Sequence, residues 1–236
     1  MTIQSRDIRY EDRRTRLTGS FVWDDAVTEP RPGVLVFHGG AGLDDHALGR
    51  AGWLAQLGYG AFACNMYGEG VAGSRERVMR QISELRGNPE NLRRRALAGL
   101  QALAALPEVR LPAAAVGYCF GGMCVLELAR SGVELVGAVC VHGTLETRLP
   151  AEPNRVKTRV LVCHGALDPH VPMTQVSAFA EEMKEAGADW QLVIYGGAMH
   201  GFTHEAGPFL PGVAYHRQAD ARSRAAIQSF LSEGAY

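Results

Sequence analysis

The chain has 236 residues, 47% apolar and 21% charged, with 24 basic against 25 acidic side chains. That length suits one large domain with a substantial core, and so even a charge balance offers no basic stripe for nucleic acid. No run approaches the ~18 apolar residues of a membrane span, and the polar stretch from Met1 to Arg16 lacks the apolar segment of a signal peptide.

Period-2 patterning around Ile8–Tyr10 and Leu17–Trp23 predicts an opening antiparallel pair. Short, wholly apolar runs then recur at Gly33–Phe37, Ala61–Cys64, Ala113–Val116, Val136–Val141, Val160–Cys163 and Leu192–Tyr195. Unbroken runs of this kind read as strands buried on both faces of a parallel sheet. Helical periodicity alternates with them. His46–Leu57 ends before Gly58, Arg75–Leu85 ends near Gly87–Asn88–Pro89, and Asn91–Leu106 stops at Pro107. The tract Arg93–Arg94–Arg95 in the third of these reads as a solvated face. Phe120–Arg130, Met173–Ala186 (closed by Gly187) and Arg217–Ser232 complete the set. The alternation predicts one doubly wound α/β domain over 1–236, with a mostly parallel sheet of about seven or eight strands and helices on both faces. Ligands in such sheets sit beyond the carboxyl ends of the strands.

The five cysteines are odd in number and mostly lie inside apolar runs (Cys64, Cys140, Cys163). They form no disulfide framework and no zinc spacing with histidines, so reduced thiols in a cytoplasm are expected, with no metal. Cys119 stands apart. Val116–Gly117–Tyr118–Cys119–Phe120–Gly121–Gly122 joins a strand to a helix and has the form of a nucleophile elbow, with cysteine in the place of serine. Gly117 and Gly121 let strand and helix approach, and the helix N-terminus lowers the thiol's pKa. The bland alternative is a buried structural thiol. Cys124, five residues on, reads as core.

Two later segments supply an acid and a base. Cys163–His164–Gly165–Ala166–Leu167–Asp168–Pro169 ends a strand on a glycine turn and an aspartate. Asp168 can orient an imidazole there, although Asp before Pro is also a common turn or cap residue. Gly196–Gly197–Ala198–Met199–His200–Gly201–Phe202 follows the last strand, and a histidine in such a loop suits a general base; His204 and His170 are its competitors. The chain order nucleophile, acid, histidine matches that of the α/β-hydrolases. Acyl transfer also needs two N–H donors for the carbonyl oxygen. Phe120, after the cysteine, is one candidate; Gly40 in Phe37–His38–Gly39–Gly40–Ala41–Gly42 is the other, with Gly39 or Ala41 as neighbours. Gly39, Tyr67, Glu69, Tyr118, Phe202 and His204 are candidate pocket residues, the aromatic ones equally suited to packing.

These motifs resemble the dienelactone hydrolase (carboxymethylenebutenolidase) family of the α/β-hydrolase superfamily. GYCFGG, HGALDPHVP and AMHGF carry the likeness, which runs from about Gly33 to Leu231. It implies an α/β-hydrolase fold, a Cys119–His200–Asp168 triad and no cofactor. Two features depart from the family. Gly39 stands where dienelactone hydrolases proper hold a glutamate that engages the resting cysteine, so direct thiolate–imidazolium pairing with His200, or Glu69 from the next loop, would have to serve instead. The arginines that hold the substrate carboxylate are also missing, from Tyr67–Gly68–Glu69 and from Thr203–His204. The expected enzyme cleaves a neutral or weakly acidic small ester, lactone or thioester as a cytoplasmic monomer. The alternatives are carboxylesterase or thioesterase work on other acyl groups, or a silent ligand-binding relative.

Overall fold

The structure is a computed structural model that describes residues 2–207 and 210–234. It opens with β1 (Ile3–Asp12) and β2 (Thr15–Asp24), antiparallel and paired along their whole length. β1 is an edge strand exposed at half its positions, so its apolar alternation is confined to Ile8 and Tyr10. The chain continues through β3 (Arg31–Phe37), α1 (Asp45–Gln56), β4 (Gly60–Cys64), α2 (Arg75–Gly87), α3 (Pro89–Ala104), β5 (Val109–Tyr118) and α4 (Phe120–Arg130). Then come β6 (Ala138–Val141), β7 (Val160–Gly165), α5 (Met173–Glu185), β8 (Trp190–Tyr195) and α6 (Arg217–Ser232).

The eight strands form a sheet in the order β1-β2-β4-β3-β5-β6-β7-β8. β2 runs antiparallel to β1 and β4, and all pairs from β4 to β8 are parallel. From β3 the chain goes outward to β4, then returns to lay β5 on the other side. The crevice of this switch point therefore opens between the loops after β3 and β5. From β5 the order runs steadily to β8, which sets the loops after β7 and β8 on the same rim.

Each face of the sheet carries its own core. Leu35, Phe37, Phe62 and Val162 face α2 to α5, whereas Val34, Val36, Val116 and Leu161 face α1 and α6. α4 is buried along its whole length beneath the rim, which gives the elbow a rigid base.

Three sequence expectations change. β8 is not buried on both faces: it is the far edge strand, and Ile194 stays 42% exposed. Pro89 starts a helix rather than separating two, because a first-turn proline lacks only an N–H that would go unpaired. Asn88 caps that helix, accepting from the Asn91 amide at 3.0 Å. The arginine tract is not a solvated face. Arg94 and Arg95 grip Asp12 at 2.6 and 3.0 Å, and Arg93 holds Glu127 at 2.8 Å. These pairs tie α3 to the β1 hairpin and to α4. Burial acts to raise the Asp12 carboxyl, but the two guanidinium groups outweigh it and hold it low. Among the described residues no helix is long and apolar enough to cross a membrane.

Candidate active site

The chain turns from β5 into α4 at Cys119, whose backbone takes φ 54° and ψ −115°. A residue other than glycine holds this conformation only where its surroundings enforce it. Here they leave little room. A Cβ at Gly117 would stand 2.0 Å from the Gly121 carbonyl oxygen, and one at Gly121 would stand 2.2 Å from that of Phe37. Both glycines are required by the crossing of strand and helix, as the sequence pattern implied.

The sulfur sits at the focus of three groups: the His200 ring and the backbone amides of Phe120 and Gly40. His200 Nε2 lies 3.1 Å from Cys119 Sγ, and His200 Nδ1 lies 2.8 Å from Asp168 Oδ2. The other carboxylate oxygen, Oδ1, accepts from the amides of His170 (2.8 Å) and Val171 (3.1 Å), which fixes the carboxylate plane. The backbone N–H groups of Phe120 and Gly40 lie near enough to the sulfur to help hold its thiol low. The structure thus brings together all five residues that the motifs assigned to acid, base, nucleophile and oxyanion donors. Neither His170 nor His204 hydrogen-bonds to the sulfur.

Electrostatics follow from this geometry. Burial would raise the Cys119 thiol, but hydrogen bonding and charge from His200, with the two amides, hold it below the ordinary thiol value. Burial would lower His200, yet Asp168 and Cys119 together raise it far above the usual imidazole range. Asp168, despite burial, is kept below its ordinary value by His200 and the two loop amides. Thiol down and imidazole up express one coupling, in which the thiolate and imidazolium forms favour each other. A thiolate beside an imidazolium is poised for nucleophilic attack on a carbonyl or phosphoryl centre, with two N–H donors ready for its oxygen.

The Gly40 donor is aimed by residues to which sequence reasoning gave no such part. His38 is buried; its Nε2 accepts from the Met66 amide at 3.0 Å, so Nδ1 carries the proton given to the Gly39 carbonyl at 2.7 Å. The Tyr67 hydroxyl donates to the Gly40 carbonyl at 3.1 Å and approaches that of Gly39 at 3.4 Å. The Gly39 carbonyl and the Gly40 N–H belong to one planar trans peptide and point in opposite directions. Fixing the oxygen toward His38 therefore turns the N–H toward the sulfur. His38 gave no sequence signal beyond its place in the glycine loop.

The pocket candidates divide. Gly39 lies between Cys119 and the His204 ring: a Cβ at Gly39 would meet His204 Nε2 at 3.3 Å and the Cys119 Cβ at 3.7 Å. The His204 ring thus occupies the space toward which a side chain at position 39 would grow. Tyr67 is a buried brace for the loop rather than a pocket wall. Glu69 is exposed and is not among the groups acting on the sulfur, so it does not replace the missing glutamate. Tyr118 and Phe202 are 1% and 0% exposed and pack in the core under α1 and α6, which corrects the pocket reading for both. Strand alternation explains Tyr118: its side chain leaves β5 on the face opposite α4.

Fold and site together define an α/β-hydrolase. The sequence profile of the dienelactone hydrolase family matches residues 19–234, and the chain belongs to that family. The chain is 40% identical to a dienelactone hydrolase-like promiscuous phosphotriesterase, P91, from metagenomic libraries; the match covers 99% of each chain at a TM-score of 0.94. An uncharacterized protein of Caenorhabditis elegans is 38% identical over 148 residues, 60% of this chain and 93% of that one. The carboxymethylenebutenolidase homolog of Mus musculus is 28% identical over 90 residues, 38% of this chain and 36% of that one.

Proposed function

We propose that the protein is a cysteine hydrolase that cleaves a small, uncharged ester or lactone through a thioester. The observation that carries this reading is the sulfur 3.1 Å from Nε2 of His200, whose Nδ1 is held 2.8 Å from Asp168, with the Phe120 and Gly40 amides near enough to help lower the thiol. The Cys119 thiolate attacks the carbonyl carbon, and the oxyanion takes up the two amides. The carbon–oxygen bond breaks as His200 gives its proton to the leaving alkoxide. His200 then removes a proton from water, the resulting hydroxide attacks the thioester, and the acid departs with return of the thiolate. Asp168 holds the ring in the tautomer that presents Nε2 to the sulfur.

The charge around the sulfur supports an uncharged substrate. Burial holds His38 and His204 down at about 4, so both are neutral near pH 7, and the arginines of carboxylate-binding relatives are absent from Glu69 and His204. We read the protein as a cytoplasmic monomer; its free cysteines suit a reducing compartment. A second reading has a specific support. The relative described as a promiscuous phosphotriesterase is 40% identical over nearly the whole chain, and a phosphoryl oxygen suits the same pair of amides.

Turnover of p-nitrophenyl butyrate, with a lactone, a thioester and an organophosphate triester in parallel, tests both readings. Cys119→Ala should lose at least about 10³-fold in kcat/KM on every substrate the wild type accepts. Wild-type rates in that variant would remove Cys119 as nucleophile.

A further inference from the structure

The amide of Cys119 donates to the Val141 carbonyl at 3.0 Å and to His142 Nδ1 at 3.2 Å. His142 directly follows β6, is fully buried, and itself has a positive φ of 40°. Two neighbouring strand ends thus hold non-glycine residues in the left-handed region. Such a pair persists only when fixed from outside.

The fixing runs through a hydroxyl. His142 Nε2 lies 2.8 Å from Thr203 Oγ1, and Thr203 Oγ1 lies 3.0 Å from His46 Nε2. Arg50 Nε donates to that same His46 nitrogen at 3.2 Å. The proton order is set from both ends. The Cys119 N–H can only donate, so His142 Nδ1 is bare and its proton sits on Nε2. The Arg50 N–H can only donate, so His46 Nε2 accepts. Thr203 has one hydroxyl proton, and must receive from His142 and give to His46. Burial, reinforced by the surrounding histidines, keeps His142 well below the ordinary imidazole value and therefore neutral.

Thr203 lies three residues after His200 on the same turn, and Arg50 lies on α1, which follows the Gly39–Gly40 loop. Arg50 Nη2 also donates to the Thr203 carbonyl and to Asp220, both at 2.8 Å. One connected set of hydrogen bonds, converging on His46 Nε2, therefore joins the elbow, the base-bearing turn and the helix behind the oxyanion loop. We propose that His142 and Thr203 are positioning residues that hold the Cys119 amide in register with the His200 turn and so keep sulfur and imidazole at hydrogen-bond distance. Neither touches the sulfur. The proposal rests on the cysteine-hydrolase reading for its kinetic effect, but not for its effect on the thiol.

The test compares Thr203→Val, which keeps the branched shape, with Thr203→Ser, which keeps the hydroxyl. Two readouts are taken: kcat and KM on p-nitrophenyl butyrate, and the pH midpoint of Cys119 alkylation by iodoacetamide. The valine variant should lose roughly 10- to 100-fold in kcat with KM within about twofold, and its alkylation midpoint should rise; serine should restore both to within about threefold. His142→Asn tolerates the positive φ and keeps an acceptor for the Cys119 amide but is too short to reach Thr203. It should move both readouts in the same direction, and serves if the valine variant does not fold. An unmoved midpoint overturns the proposal whatever happens to kcat or Tm, and so does a serine variant that restores neither readout. If the wild type hydrolyses no ester, the functional reading fails while the alkylation midpoint still decides this one.

Discussion

The middle of the sheet and its carboxyl rim hold the same chemical group under opposite conditions. Cys64 on β4, Cys140 on β6, Cys163 on β7 and Cys124 inside α4 are buried among apolar side chains, and burial pushes each thiol up, to about 12 for Cys140 and Cys163. Burial acts in the same direction on Cys119, yet that thiol is held low. Loss of water therefore does not distinguish reactive from inert sulfur here. What differs is the set of donors: an imidazole proton and two amides meet at Cys119. Backbone conformation supplies that difference. The other four cysteines lie in regular strands or a helix, whereas Cys119 takes φ 54° on a bend between glycines.

Breaking the rim's advantage should have its largest effect through Asp168. Asp168→Asn keeps the shape but removes the acceptor that holds His200 Nδ1–H, and kcat should fall on the order of 10³- to 10⁴-fold. Stability should report the same loss with a defined pH dependence. Asp168 titrates below its unfolded value, so its contribution is present above that value and is lost as pH falls through the folded one. His200 titrates above its unfolded value, so its contribution is present below that value and is lost as pH rises through the folded one. The gap in Tm between wild type and Asp168→Asn should thus be widest between about pH 4 and 6.5, closing toward acid and narrowing again toward alkali as pH rises to the folded His200 value. A gap that widens toward acid would contradict the assigned ion pair.

A smaller effect sharpens the comparison between thiols directly. Iodoacetamide at pH about 6.5, two units below an ordinary cysteine pKa, should label Cys119 in the folded protein and spare the other four until denaturant is added. His200→Gln removes the strongest lowering influence on the sulfur, so its labelling profile should move to higher pH. Mass spectrometry of labelled peptides reads both. Equal labelling of all five native thiols would erase the distinction between rim and interior.

Much of this site was legible because its chemistry needs special backbone. Gly117, Gly121 and Gly165 mark close approaches that no side chain permits, and glycines of this kind leave a trace in sequence. Strand interiors were legible through their unbroken apolar runs. The second layer of the site was not. His142 follows an apolar strand and Thr203 follows an apolar phenylalanine, and neither position advertises that two loops 61 residues apart share a hydrogen bond. The burial of Tyr118 and Phe202 was equally hidden, since proximity in sequence to Cys119 and His200 says nothing about which face of the sheet a side chain takes. The arginine tract misled for a related reason. Its partners Asp12 and Glu127 come from distant parts of the chain, and only the packing of α3 brings them together.

The finest test of the rim concerns the aim of a single amide. Tyr67 donates to the Gly40 carbonyl at 3.1 Å and packs edge-on against His38 at 4.6 Å between ring centroids. Tyr67→Phe keeps the ring and its packing, and leaves His38 to hold the Gly39 carbonyl alone. Removing an oxyanion donor outright costs about 10²- to 10³-fold, but here the donor remains and only one brace is lost. A hydrogen bond of this kind contributes about 1 kcal/mol, so kcat should fall roughly fivefold with KM little changed. His38→Phe removes the other brace and the acceptor of the Met66 amide, and should cost more. If Tyr67→Phe raised KM and left kcat intact, Tyr67 would be touching substrate, and the pocket reading of the sequence would be restored.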